Sequence, residues 1–295
     1  TYYYSLGYTD NEGVIVGDRF STIRSRLNID MKVADFLSVG VNSQFSHRDQ
    51  SQVTASLGNM FICPPWGSKY KSDNTLNWFP SEQAIAPNPL MDYTYQDKYN
   101  RTNTLFASLY AQLNLPLGFS FRISYQPRFS FNQNYIFNPT TISAGNGSRT
   151  EIHSSEWIID NLLKWKRKFG KHDLDLTLLY SAEKNQYWNS YMENSTFTPN
   201  ENLSYHGLQF GIYPALNNND TYATGDAAMA RINYTFAGKY LLTASVRRDG
   251  YSAFGQENPH AVFPAIALAW QIGNEDFFNS DRIDQLKLRF SWGIN

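Results

Sequence analysis

The chain has 295 residues, with 25 Lys and Arg against 26 Asp and Glu, a formal charge of −1. Near-neutral charge without basic runs excludes a nucleic-acid binder, an aromatic content of 16% excludes disorder, and a single cysteine, Cys63, excludes a disulfide scaffold or thiolate zinc site. Charged residues are only 17%, yet mean hydropathy is negative and no apolar run reaches the roughly 18–20 residues of a membrane helix.

The N-terminus, Thr1-Tyr2-Tyr3-Tyr4-Ser5, carries neither the basic segment nor the apolar core of a signal peptide. From there the period is two nearly everywhere. Ile23, Leu27, Ile29, Met31 and Val33 alternate with Arg24, Arg26, Asn28, Asp30 and Lys32. Leu37, Val39, Val41 and Phe45 follow, then Leu105, Ala107, Leu109, Ala111, Leu113 and Leu115 opposite Ser108, Tyr110, Gln112 and Asn114. Leu174, Leu176 and Leu178 form the next such face, then Ile232, Tyr234 and Phe236, then Tyr240, Leu242, Ala244 and Val246. The last is Leu286, Leu288, Phe290 and Trp292 against Lys287, Arg289 and Ser291. A strand sends successive side chains to opposite faces, so each segment has one apolar and one polar face. The chain reads as all-β, with about eleven strands.

The links alternate in length. Short ones fall at Val33–Phe36, Leu115–Gly118, Lys168–His172 and Ala237–Lys239. Long polar ones run from Gln50 to about Lys98, Phe137 to Arg149 and Glu193 to Tyr222, with two more near Phe254–Ala261 and at Gly273–Arg282. In the last, Asn274-Glu275-Asp276 is placed to cap a short helical turn. An antiparallel up-and-down meander with short periplasmic turns and long extracellular loops is the layout of a transmembrane β-barrel. The apolar faces carry no interspersed charge, as expected where Arg or Lys at mid-bilayer costs about 2–4 kcal/mol. The polar faces are Ser, Thr, Asn, Gln, Tyr and Arg, which suits a wet lumen. Tyr2–Tyr4, Phe119, Phe121, Trp165, Trp188, Tyr240, Trp270 and Trp292 fit aromatic girdles at the two interfaces. Aromatics filling the core of a soluble sandwich are the competing explanation, and the loop asymmetry favours the membrane.

No catalytic constellation, metal-ligand spacing or cofactor motif stands out. Arg247-Arg248-Asp249-Gly250 reads as a lumen-facing salt network or turn, and Asp173 and Asp175 share a strand face as lumen lining. His47, His153, His172, His206 and His260 lack metal-ligand spacing. The link from Gln50 to Lys98 is the most informative non-strand segment, because long loops too aromatic for disorder usually carry function. Its contact candidates are Trp66, Tyr70, Trp78, Phe79, Tyr93 and Tyr95, since aromatic faces stack on sugars and pack against proteins. Either it forms an extracellular surface touching ligand or a lid, or it packs on itself over the rim. Met60-Phe61-Ile62-Cys63 is expected to anchor it by burial, with Cys63 structural.

Several segments resemble the SusC/RagA-type TonB-linked outer-membrane transporters. They are Tyr4-Ser5-Leu6-Gly7-Tyr8-Thr9-Asp10-Asn11-Glu12-Gly13 with Arg24–Asp30, and Asn233-Tyr234-Thr235-Phe236-Ala237-Gly238-Lys239-Tyr240 running on through Arg247-Arg248-Asp249-Gly250 to Gly255. Phe263–Trp270 and Leu286–Gly293 complete them in the family's order, whereas residues 50–100 and 193–222 match nothing specific. The resemblance implies uptake of oligosaccharides or peptides, a SusD-like surface lipoprotein as lid, the TonB complex as energy source, outer-membrane lipid around the wall and no enzyme activity. Family members are longer, with a plug before the barrel. Residues 1–295 are therefore expected to be part of a barrel, an open arc whose edges lipid would not tolerate alone. A soluble carbohydrate-binding β-sandwich is the alternative, favoured by the aromatic loop; an outer-membrane barrel enzyme is a third, lacking a recognisable constellation.

Overall fold

The computed structural model describes residues 1–81, 86–143, 145–197, 201–255, 257, 259–278 and 283–294. Parts of the long links, and the final residue, fall outside these. The alternating segments form eleven strands: β1 (Tyr2–Glu12), β2 (Arg19–Ala34), β3 (Leu37–Asp49), β4 (Asp97–Asn114), β5 (Phe119–Asn138), β6 (Asn146–Phe169), β7 (His172–Ser195), β8 (Ala215–Phe236), β9 (Tyr240–Tyr251), β10 (His260–Gln271) and β11 (Lys287–Gly293). They pair antiparallel in chain order in one sheet, so β1 and β11 are its open edges among the described residues. Two short helices, α1 (Leu57–Ile62) and α2 (Met91–Tyr95), lie in the link between β3 and β4.

Register carries the alternation from strand to strand, because residues facing each other across an antiparallel pair share a face. Leu37 lies opposite Leu113, which lies opposite Phe121. The same row continues through Leu163, Leu178, Ala230, Val246 and Pro264. On this apolar face no Asp, Glu, Lys or Arg occurs from Leu105 to Leu113 in β4, Phe119 to Phe131 in β5, Leu174 to Ala182 in β7 or Tyr240 to Val246 in β9. The opposite face is tied by polar side chains. Arg26 Nε donates to Gln44 Oε1 at 2.8 Å, Ser181 Oγ to Asp160 Oδ1 at 2.7 Å, and Thr243 Oγ1 to Asn233 Oδ1 at 2.9 Å. Gly40, on that face, leaves room for the ring of Tyr110, whose hydroxyl donates to Asp30 Oδ1 at 2.5 Å.

The β-sandwich alternative does not form. All eleven strands belong to one sheet, and Leu109, Leu178, Leu268 and Phe290 on the apolar face are exposed. Most of the buried apolar side chains, among them Leu76, Met91, Phe137 and Phe197, belong to the long links and the strand ends beside them. An apolar wall with no protein over it is what a membrane-facing sheet presents.

The short turns fall where the alternation breaks: 35–36, 115–118, 170–171 and 237–239. In the turn before β5, Gly118 adopts φ +86°, and a Cβ there would meet the Lys166 carbonyl oxygen at 2.1 Å. All four turns follow even-numbered strands and therefore lie at one end of the sheet. The long links after β3, β5 and β7 lie at the other, with those after β1 and β9.

Four details differ from the sequence reading. The link after β10, residues 272–286, is long but lies at the short-turn end, so Gly273–Arg282 breaks the length pattern rather than extending it. Its helical turn is Ile272–Asn274, ahead of Glu275. Trp188 sits beyond Lys184, the first charged apolar-face residue of β7, opposite His153 and Asp220, in a polar collar rather than in a girdle. β7 and β8 also extend further than expected, with Asn189 opposite Asn219 and Tyr191 opposite Asn217. Both faces of that collar are polar, so no alternation marks it.

At the short-turn end, Glu275 ties the turn between β8 and β9 to strands β9 and β10. Its carboxylate accepts from Lys239 Nζ at 2.9 Å, Tyr240 OH at 2.8 Å and Trp270 Nε1 at 2.9 Å. The Lys239 ammonium, then the indole and phenol donors, pull its carboxyl from 4.5 down to about 2. A lowered carboxyl pKa stabilises the fold above the unfolded value, and that stability is lost as pH falls toward the folded value. Glu275→Gln is therefore expected to lower the thermal midpoint of the detergent-solubilised full-length protein at pH 7. The difference from wild type should shrink between about pH 4.5 and pH 2. A deficit unchanged across that range would contradict this role.

Candidate functional site

The long-link end carries most of the non-strand structure among the described residues, and the link between β3 and β4 dominates it. Its entry is fixed by Ser51, whose backbone N–H donates to Asp49 Oδ1 at 2.9 Å and whose hydroxyl accepts from Asn100 N at 3.0 Å. Ala55 N–H then donates to the Val16 carbonyl at 2.9 Å, tying the link to the β1–β2 turn. Ser56 caps α1, its Oγ accepting from Asn59 N at 3.3 Å. Further on the link folds back: Ser68 N donates to Pro80 O at 2.9 Å and Asn77 N to Lys69 O at 3.0 Å. At the tip, Asp73 Oδ1 accepts from the Thr75 hydroxyl at 2.6 Å and its N–H at 2.9 Å. These two donors, the hydroxyl first, hold the Asp73 carboxyl below its ordinary range.

The hub is Asn88, 2% exposed. Its Nδ2 donates to the carbonyls of Lys69 at 3.1 Å and Asn77 at 3.0 Å, while its Oδ1 accepts from Leu90 N at 3.1 Å. One amide side chain thus satisfies three backbone groups from separate stretches, which is what lets a proline-rich link hold a shape without strands.

This scaffold sorts the six aromatic candidates. Trp66 is 82% exposed, and Tyr70 and Tyr93 are exposed too. Lys69 Nζ lies 5.0 Å over the Tyr70 ring. Tyr93 packs beside Gly17, where its ring leaves no room for a Cβ. Trp78, Phe79 and Tyr95 are half-buried, with Trp78 and Phe79 edge to face at 6.1 Å. So Trp66, Tyr70 and Tyr93 are open to the surroundings, while Trp78 and Phe79 belong to the link's own packing. The expectation that Met60-Phe61-Ile62-Cys63 anchors the link by burial fails. Phe61 is 82% exposed, and Leu57, Met60 and Ile62 are exposed with it. The buried anchors are Ala55, Leu76, Ala86 and Met91 instead. Six residues of helix cannot bury two faces, and this apolar one stays open.

Below the link, the polar face holds a cavity of about 570 Å³. Phe106 and Tyr251 supply apolar surface; Gln44, Gln126 and Asn185 supply amides; Arg128, Glu156 and Glu183 supply charge. Arg128 Nη1 and Glu156 Oε2 stand 3.8 Å apart. Nearby, Arg247 Nε donates to both carboxylate oxygens of Asp249 at 2.8 and 2.9 Å, the polar-face salt contact expected there. Sequence reasoning missed this cavity, since its residues come from seven strands. A weak signal was present in Phe106, an aromatic residue on an otherwise polar face. It also missed a stack at the collar, where Tyr99 and Tyr135 rings lie 5.3 Å apart under Tyr205. The five histidines are dispersed: His47 bonds Asn103, His172 bonds Tyr234, His260 faces Asp226, and His153 and His206 lie against Phe131 and Tyr205.

Comparison with known proteins places this geometry. The family model described as TonB dependent receptor-like, beta-barrel matches residues 40–294. The chain is 28% identical over 311 residues to TonB-dependent receptor P3 of Formosa agariphila, covering 99% of this chain and 31% of that protein. It is 22% identical over 334 residues to TonB-dependent receptor SusC of Bacteroides thetaiotaomicron, with coverage of 99% and 32%. The chain thus spans about a third of the length of these relatives. Among solved structures, the RagAB peptide transporter superposes with a TM-score of 0.81 at 18% identity, over 99% of this chain and 35% of that one. The ferric citrate transporter FecA gives 0.52 at 12% identity, over 92% and 37%.

Proposed function

The chain belongs to the TonB dependent receptor-like β-barrel family, and from that membership we propose that it forms part of the wall of an outer-membrane importer. The apolar face meets lipid, the polar face lines the lumen, the short turns face the periplasm and the long links face outward. The eleven strands are an arc of a larger barrel, since open edges in lipid would leave backbone groups unpaired. A plug and TonB-contacting segment outside these residues couple the barrel to inner-membrane energy.

The cargo is a peptide or an oligosaccharide. The observation that carries this reading is the lumenal cavity with aromatic faces, amides and both signs of charge. Phe106 and Tyr251 offer stacking surfaces, while Arg128 and Glu156 offer opposite charges to a polar chain. The likeness to the RagAB peptide transporter and to SusC supports cargo too large for passive pores. A SusD-like surface lipoprotein closes over the long links, seated on the exposed row of Phe61, Ile62 and Trp66.

Growth and uptake in cells expressing the full-length receptor test the reading. Trp66→Ala combined with Phe61→Ser is expected to weaken lid capture by about 2 kcal/mol, the scale of an aromatic hot spot. Co-purification of the lipoprotein should fall while the receptor's level and heat-modifiable mobility stay normal. Undiminished uptake and lid capture would remove this link from the working surface. Arg128→Ala with intact lid capture but reduced uptake would identify the cavity as the cargo contact.

A further inference from the structure

A groove of about 440 Å³ runs along the apolar face from β5 to β9 in the short-turn half of the strands. Its floor is low because Ala230 and Ala244 occupy neighbouring strands, beside Val246 and Ile232 in register. Phe119 and Trp165 close its end, their rings 6.0 Å apart. The indole is fixed by Trp165 Nε1 donating to the Leu117 carbonyl at 3.0 Å. The next apolar-face residue of β6 is Arg167, roughly 7 Å beyond Trp165 at about 3.3 Å rise per residue.

The Arg167 side chain is exposed and makes no hydrogen bond or ion pair with a described residue. Lys171, in the adjoining turn, is exposed as well and equally without an acid. Asp173 and Asp175 point to the other face, as the parity of β7 requires. Among the described residues, depressions also lie on the apolar wall at Leu242 and Leu268 and at Val41 and Leu109. Their nearest lysines are engaged: Lys239 by Glu275 and Asp276, Lys32 by Asp35. Among the described residues, the first groove joins apolar surface to Arg167 and Lys171, cations with no acid beside them, at its interfacial end.

We propose that this groove is a binding site for an anionic glycerophospholipid of the inner leaflet, an acyl chain lying over Ala230 and Ala244 and the phosphate at Arg167 and Lys171. The proposal rests on the outer-membrane reading. An aromatic belt with basic residues just beyond it is the arrangement that recognises anionic headgroups.

The test is native mass spectrometry of the full-length receptor extracted in mild detergent and exposed to phosphatidylglycerol or phosphatidylethanolamine. Wild type is expected to retain phosphatidylglycerol in preference. Ala230→Leu with Ala244→Leu fills the groove, and Arg167→Gln removes its charge. Both should lower retention; for Arg167→Gln the loss should be about five-fold, as removal of one interfacial cation predicts, and Arg167→Lys should restore it. Equal retention by all forms, or no headgroup preference, would overturn the site. A receptor dimer that the alanine-to-leucine pair dissociates would assign the groove to a second copy instead, overturning it too. A full-length receptor that stays soluble without detergent would contradict the membrane reading itself, a separate failure visible before any lipid is added.

Discussion

Leu109→Arg in the full-length receptor is expected to destabilise the barrel by about 2–4 kcal/mol, with loss of the heat-modifiable folded form from the outer membrane. Leu109 lies on the apolar face of β4, between Ala107 and Ala111, with Val41 and Tyr125 opposite it. No charged group on this face lies near enough to pair with an introduced guanidinium. The adjacent substitution, Ser108→Arg, sends the same charge to the polar face beside Asn42, where water solvates it, and the barrel should assemble. Folding measured by gel mobility and urea resistance distinguishes the two. Equal tolerance of both would mean that the apolar face does not meet lipid.

The second large effect lies outside the membrane. Asn88→Ala leaves the Asn77 carbonyl oxygen and the Leu90 N–H without their partner at a position 2% exposed, and the Lys69 carbonyl with the Asn77 N–H alone. Each abandoned buried group costs about 1–3 kcal/mol. Water can reach part of the link once it loosens, so a total of about 2–4 kcal/mol is expected. The loss is local, because the strands do not depend on Asn88. Limited proteolysis should cut the mutant between residues 50 and 96 while the barrel remains heat-modifiable, and uptake should fall with it. Asn88→Asp is no rescue, since a carboxylate oxygen would then face the two carbonyls. A mutant as protease-resistant as wild type would show that the link is held elsewhere.

How far the sequence could be read depended on whether water or lipid touched each residue. Between Leu105 and Leu115 one face meets an apolar phase, so the alternation is clean and the strand, its face and its turn at Leu115–Gly118 were all legible. Between Asn185 and Ser195 both faces are polar, so Asn189 and Tyr191 carry no period although they lie in a strand. The 193–222 link was therefore drawn too long at both ends. Burial in the outer link was misjudged for a related reason. Phe61 and Ile62 look like anchors only if apolar residues must be covered, and here they are the surface. Asn88 could not be found at all, since a buried amide is indistinguishable in sequence from the solvated asparagines around it. For the six aromatic candidates, composition did not tell which rings face outward. That division comes from the fold-back that buries Leu76 and Pro80.

The most direct test of the membrane-wall account is a nitroxide scan of β4 in the full-length receptor, one cysteine at a time from Leu105 to Leu113, with native cysteines such as Cys63 replaced. Collision with oxygen, which concentrates in lipid, and with a water-soluble nickel chelate reports the phase each side chain meets. The account predicts strict alternation, with labels at 105, 107, 109, 111 and 113 oxygen-accessible and those at 106, 108, 110 and 112 shielded from oxygen. Labels along β4 that meet the nickel chelate equally at odd and even positions would contradict it.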